Sequence, residues 1–463
     1  MRIAYREIRL FFFASMLALF MLLMLVPLNL LLLMISYTIM FHFFMGRENP
    51  NSSLYWIWLP WAFAMMPVLL SIVTYNAPEI SLEAVGFILL YLSIATLGYI
   101  IMAPKLTKQA MVINGKQIQH SIFVHRNIIS VLAVLGLIGA TLFFLEMYLI
   151  VGVDLKNLFS VRTAFSGRQV TVLSQISPLI AWGGWVSLVA AIICSENISK
   201  NRKYFWMFCG LSGAVLSILS AGRQTIFLML LLVLMAHVYR TSSAEQKVPK
   251  QTKTRPPNVV LMLIGTTAIL YMALIAILRV DETNTTSKSN YLFKLFGVIP
   301  DWDIHDYLNL HIGRGATAFY ETVIYFSSGV SSFSAFLTGE PLGPYFGKMT
   351  FPWLGRRLNF VSEYSPEQAL DHLATYNNIV GAMPVGWSTA FGIYIWDFGF
   401  IGSVAVVFAM GLLAGYAWRI HLKQASIFSL ILILAANITF FYFLMMPATS
   451  DSVTFFLLCG NLV

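Results

Sequence analysis

A single charge, Arg223, stands in the stretch Ser217-Ile-Leu-Ser-Ala-Gly-Arg-Gln-Thr225, between the apolar runs Tyr204–Leu219 and Thr225–Tyr239. Each run would form roughly 24 Å of helix at about 1.5 Å per residue. That crosses a bilayer if the ends sit in the headgroup zone. Both outer ends of the pair are basic, with Lys200, Arg202 and Lys203 before it and Arg240, Lys247, Lys250, Lys253 and Arg255 after it. Positive loops stay in the cytoplasm, so the chain is expected to turn at Ser220-Ala221-Gly222-Arg223 on the opposite face. A guanidinium is then held at an outer membrane boundary. The same alternation places Arg162, Arg168, Arg314, Arg356 and Arg357 on outer segments, where topology disfavours positive charge. Guanidinium binds phosphate through paired donors and stays charged when partly dehydrated. A lipid pyrophosphate would sit at this boundary. Each arginine has a simpler reading as a snorkelling side chain, but Arg223 has little room to snorkel inside a tight small-residue turn.

Proton transfer needs a base within hydrogen-bond reach of the proton it takes. Asp371-His372 lies between the Arg356-Arg357 pair and the segment that opens at Met383. Glu321 is a second candidate, and Asp301, Asp303, Asp306, His305 and His311 form a further cluster. Each of these also reads as a solvated loop residue when taken alone. Asp397 and Asp451 sit beside apolar segments; such carboxylates are either functional or helix N-caps. Glu146, within an apolar run, reads as an internal partner for a polar neighbour.

The elements that must position these residues are membrane helices. The chain has 463 residues, 58% apolar and 11% charged, with mean hydropathy +0.77. Soluble proteins carry about 25% charged residues. The long continuous apolar runs exclude a membrane β-barrel, which alternates. The net charge of +9 concentrates on segments that alternation places inside, so it signals topology rather than nucleic acid. Cys194, Cys209 and Cys459 are too few and too scattered for a disulfide framework or a zinc site. No Walker loop, GxGxxG, HExxH or paired CxxC occurs, which argues against ATPase, Rossmann and zinc-protease chemistry. Arg2, Arg6 and Arg9 precede an apolar run with no evident cleavage site, read as an uncleaved first span.

The expected architecture is all-α and polytopic, with about twelve spans. Leu10–Met45 is read as a hairpin broken at Pro27-Leu28-Asn29. Spans follow at Leu54–Tyr75, Ser81–Ala103, Asn127–Val151 and Leu173–Cys194, with an outer loop Gly152–Val172. After the Arg223 hairpin come a Lys/Pro-rich inner loop over 240–257 and a span at Val259–Leu278. Residues 1–279 thus form the first transmembrane unit, including Arg223. Residues 280–384 form a large outer loop, too long for a plain connector. Within it, Ala316–Leu337 is amphiphilic and read as a helix lying in the interface or dipping into it. Residues 385–463 hold the rest: Met383–Phe400, read as re-entrant and interrupted at Asp397, then spans at Gly402–Trp418 and Ile427–Met446, and a stub at Val453–Val463. The tryptophans Trp56, Trp58, Trp61, Trp182 and Trp185 are read as an interfacial belt. No internal repeat suggests the inverted halves of many transporters.

Three stretches, in order, carry a family resemblance. Ser220-Ala-Gly-Arg-Gln-Thr225 resembles the small-Gly-Arg turn of bacterial Wzy-type O-antigen and capsule repeat-unit polymerases. Tyr320–Phe336, followed by Phe351-Pro-Trp-Leu-Gly-Arg356, resembles their long periplasmic loop. Pro384–Gly402, with Trp396-Asp-Phe-Gly-Phe-Ile-Gly402, resembles the segment after it. The resemblance covers roughly the second half of the chain. It implies a GT-C-type glycosyltransferase of the bacterial inner membrane, related to O-antigen ligases. It would join undecaprenyl-pyrophosphate-linked oligosaccharide units, donor and acceptor both lipid-borne, at the periplasmic face. It implies no metal or other cofactor, so arginines must neutralise the leaving pyrophosphate. Arg223, Arg314, Arg356 and Arg357 are the candidates for that clamp. Asp371, His372 and Glu321 remain open as catalytic groups. In the ligases a His near an Asn-containing motif is tied to the base role; here His372 precedes Asn377-Asn378. Expected partners are membrane lipids and, left open, a chain-length regulator, with no nucleic acid. The alternatives are an O-antigen ligase and a lipid-linked oligosaccharide flippase or other transporter.

Overall fold

The computed structural model describes residues 53–69, 72–75, 80–103, 117–150, 172–194, 198–212, 224–245, 293, 297–337, 349–351 and 389–444. These are mostly helical. In chain order the elements are α1 (Ser53–Leu69), β1 (Val73–Tyr75), α2 (Leu82–Met102), α3 (Arg126–Leu145) running into a π-helical turn (Glu146–Ile150), α4 (Val172–Ile193), α5 (Lys200–Leu211), α6 (Gln224–Glu245), β2 (Val298–Pro300), α7 (Trp302–Ile312), α8 (Arg314–Leu337), α9 (Thr389–Lys423) and α10 (Ile427–Tyr442). Among the described residues three helices are long and apolar enough to cross a membrane: Glu83–Met102, Arg126–Leu149 and Thr389–Lys423. Shorter apolar helices occupy Ile180–Ile193, Leu228–His237 and Ile427–Tyr442.

Two close helix pairs form the frame, and small residues make both possible. On α3 and α4, a Cβ at Gly136 would run into the backbone of Gly184. On α2 and α9, a Cβ at Gly411 would run into the Ala95 carbonyl. Small side chains let helix backbones approach where lipid supplies no hydrophobic drive between helices. Short polar side chains then link the helices across their interfaces. Tyr91 Oη and Ser403 Oγ are 2.7 Å apart, Trp58 Nε1 donates to Thr96 Oγ1 at 3.0 Å, and Ser53 Oγ donates to Asn437 Oδ1 at 2.6 Å. Trp206 Nε1 on α5 donates to Ser130 Oγ on α3 at 3.0 Å. Trp58, Trp61 and Trp185, expected in an interfacial belt, are instead fully buried inside the helix packing.

The helix ends sort into two groups. At one end, Gln119 Nε2 and Arg240 Nη1 donate to the carbonyls of Ile193 and Ile192. His421 there is buried, with Nε2 at 2.9 Å from Tyr239 Oη and Nδ1 at 3.0 Å from Ser429 Oγ. Ser426 and Ser429 close a capping box on α10, which satisfies its first free N–H groups. At the other end, β1 pairs antiparallel with β2, Val73 opposite Pro300 and Tyr75 opposite Val298.

That pairing corrects one expectation. Leu54–Tyr75 is not one continuous span: helix stops at Leu69 and the last residues form a strand. Val-Thr-Tyr is β-branched and aromatic, and such residues favour a pleated, half-buried surface. The break in the segment read as re-entrant also shifts. It falls at Gly399, with φ 68° and ψ 178° inside α9, a backbone region essentially reserved for glycine. The run Ala316–Leu337 is helical within α8, and its second half, from Ser327 to Phe336, is buried. It packs on α1, α2 and α9. The Leu10–Met45 hairpin, the outer loop 152–171, the turn at 213–223, the inner loop beyond 245, the span at 259–278, the loop 352–388 and the stub after 444 lie outside the described residues.

Candidate functional site

The end that carries the strands is built from four distant pieces of chain. Ser81, the N-cap of α2, accepts from Ala84 N through its hydroxyl and donates its own N–H to Ser334 Oγ at 2.7 Å. Tyr75 Oη lies 2.7 Å from Ser327 Oγ on α8. Burial pushes that phenol well above its ordinary value, against a smaller opposing effect of the serine. Asp301 N donates to the Ile72 carbonyl at 3.0 Å, which extends the strand pairing by one bond. The segment 297–337 is thereby fastened to the connection between α1 and α2.

Asp397 supplies the firmest fastening. It is fully buried, and it accepts from Met349 N at 3.1 Å, Thr350 N at 2.6 Å and the Thr350 hydroxyl. The two sequence readings were a cap on its own helix or a functional carboxylate. Instead of a helix N-terminus, its carboxylate caps the backbone of a distant segment at residues 349–350. Charge-assisted hydrogen bonds are the strong ones, and the Gly399 corner one residue past Phe398 gives the carboxylate its place at the helix break.

The acidic and histidine cluster has structural duties as well. Asp301 caps α7, its Oδ1 accepting from Asp303 N and Ile304 N at 3.0 and 3.1 Å. His305 is buried in an aromatic cage, with ring centroids 5.6 Å from Phe293, 5.3 Å from Trp302 and 5.6 Å from Tyr320. Its Nδ1 is 3.2 Å from Asp306 Oδ1. Tyr320 is pushed up to about 12 by burial, then by the negative charges of Asp301 and Asp306. The phenol stays protonated at neutral pH. Asp303 and Asp306 remain exposed, and His311 stacks on Tyr307 at 4.1 Å. Exposed carboxylates of this kind can accept hydrogen bonds from hydroxyl groups. Among the described residues, no cluster of His, Cys, Asp and Glu is arranged to hold a metal ion.

Of the residues singled out as a site, Arg314 and Glu321 belong to α8. Arg314 is its first residue, directly after Gly313 at φ 51°, and Glu321 follows seven positions on. Arg223, Arg356, Arg357, Asp371 and His372 lie outside the described residues, as do Arg162, Arg168 and Asp451. Arg223 precedes Gln224, the first residue of α6, whose far end carries Tyr239 and Arg240. Glu146 is fully buried in the π-helical turn after α3. The Asp397 clamp and the Tyr239–His421–Ser429 set were not anticipated. Asp397 had a signal in its apolar surroundings, whereas nothing local marks a contact between residues 182 positions apart.

The class these features define is a mostly helical protein with three described helices able to cross a membrane and an ordered polar segment fastened to one end. Comparison with protein-family models, curated proteins and solved structures gives no match to this chain.

Proposed function

We propose that this chain is a multi-pass glycosyltransferase of a bacterial inner membrane that polymerises oligosaccharide units linked to undecaprenyl pyrophosphate. The observation that carries the reading is the charge polarity of the helix ends. Arg126, Lys200, Arg202, Lys203, Arg240, Arg419 and Lys423 belong to the end without strands. Glu83, Asp301, Asp303, Asp306 and Asp397 belong to the strand end. Positive loops remain cytoplasmic, so the strand end faces the periplasm. Arg314 nonetheless stands at that acidic end, and Arg223 adjoins the start of α6. Cations retained against the topological preference suit an anionic substrate headgroup, and a lipid pyrophosphate is such a group.

In this mechanism Arg223, Arg314 and one of Arg356 and Arg357 hold the donor pyrophosphate. A hydroxyl of the acceptor unit attacks the anomeric carbon of the donor. The new C–O bond forms as the bond from that carbon to the pyrophosphate oxygen breaks, and undecaprenyl pyrophosphate leaves with the electron pair. Asp371, His372 or Glu321 takes the hydroxyl proton. Fixed positive charge where negative charge develops is a large catalytic contribution. The polar segment held by Asp397 and β2 supplies the walls that orient the two sugars.

The test is the surface polysaccharide of a deletion strain, complemented with wild type or Arg223→Ala and separated as a ladder. Single units extended to a ladder only by wild type are expected, with Arg223→Ala present in the membrane at normal amount. No product beyond the bare core points instead to ligation or flipping. A normal ladder from Arg223→Ala would falsify the assignment.

A further inference from the structure

The basic end carries a cavity that the proposed chemistry does not use. It has a volume of 610 Å³ and lies between residues 117–125, which lead into α3, and the α9–α10 connection. Its polar lining includes His120, His125, Lys423, Gln424 and Ser426, and among the described residues no carboxylate lines it. His125 is oriented: its Nδ1 is 2.9 Å from the Ser121 carbonyl and its ring meets Phe428 edge-on at 5.7 Å. Ser121 Oγ in turn accepts from Ile427 N at 3.3 Å. The start of α10, where Ser426 lines the cavity, therefore borders the same space.

Val124 lines the cavity and also begins an apolar stripe. Val124, Ile128, Val131, Ile138 and Leu145 are all exposed, at 56%, 52%, 59%, 43% and 40%. Ile128, Val131, Ile138 and Leu145 share one face of α3, Val124 lies in the segment that leads into it, and the stripe runs roughly 30 Å, the thickness of a hydrocarbon core. A cationic recess thus meets the foot of a lipid-exposed track. A free anion needs only the recess; a molecule with a phosphate and an acyl chain uses both.

We infer that the cavity seats the phosphate of an anionic glycerophospholipid from the bilayer leaflet at the basic end, with an acyl chain along the Val124–Leu145 stripe. The site is independent of the glycosyl transfer proposed at the opposite end. Its occupancy ties α3, α9 and α10 together where His421 already joins α6, α9 and α10.

The experiment uses the full-length chain in neutral detergent, equilibrated with mixed micelles of phosphatidylglycerol or phosphatidylcholine. Retained lipid is counted per protein after gel filtration. Wild type should retain phosphatidylglycerol at least about fivefold over phosphatidylcholine, since one basic residue near anionic lipid contributes about that factor. Lys423→Gln should abolish most of this preference and Lys423→Arg should restore it. Should Lys423→Gln aggregate, Gln424→Glu puts a repelling carboxylate at the same rim and is expected to lower retention similarly. Unchanged retention in whichever of these variants elutes as wild type does overturns the site. Displacement of the lipid by inorganic phosphate at equal concentration also overturns it, because the recess would then bind a free anion without the chain.

Discussion

Asp397 shows what one buried carboxylate does when its partners are main-chain donors. Its oxygens satisfy two N–H groups and a hydroxyl of residues 349–350. Removing them leaves buried donors without that acceptor, at about 1–3 kcal/mol for each unsatisfied group. Asp397→Ala is therefore expected to destabilise the protein by about 3 kcal/mol, with Asp397→Asn intermediate because it keeps one oxygen. Thermal unfolding in detergent checks this, and melting temperatures equal to wild type would remove the clamp from the account. Tyr320 makes a prediction about alkaline pH. Its folded value is raised from 10.0 to about 12 by burial and by Asp301 and Asp306. Below pH 10 the phenol is protonated in folded and unfolded chains alike, so its contribution to stability is fully present there. Between pH 10 and about 12 the unfolded chain ionises first, and that stability is lost as pH rises. Tyr320→Phe should flatten this part of the stability curve relative to wild type, and parallel curves would count against the buried setting.

At the scale of elements, contact distance decides which glycines matter. Gly411 on α9 faces the Ala95 carbonyl with no space for a Cβ, whereas a Cβ at Gly86 on α2 would meet nothing within 4 Å. Gly411→Ala must push two helices apart and should cost about 1–3 kcal/mol. Gly86→Ala should be neutral or add up to about 1 kcal/mol through helix propensity. Comparing the two variants by detergent unfolding tests the packing directly, since both make the same chemical change. Equal effects would mean that α2 and α9 do not approach as closely as described. The strands illustrate a different rule. Val73–Tyr75 could have continued the helix, but pairing with Val298–Pro300 satisfies its backbone at the point where α1 ends. The tertiary partner and the β-branched and aromatic residue types favour the same strand.

For the whole molecule, charge polarity predicts sidedness. Reporter fusions placed after Ala103 and after Glu245 should report cytoplasm, and a reporter inserted after Leu337 should report the periplasm. All three on one side would remove the topology on which the proposed function depends. Composition and hydropathy by themselves determined the helical class, the basic connectors, the start of α8 and the apolar course of α9, because these follow from local sequence and its period. They also drew notice to Asp397, as any carboxylate in an apolar run does. Only the tertiary structure decided what Asp397 holds, that His305 turns into an aromatic cage, and that Asp301 serves as a helix cap. Tyr75 meets Ser327 across 252 positions and Tyr239 meets His421 across 182. Such pairings arise when separate helices bury their faces against one another, and no local pattern in the chain encodes which faces meet.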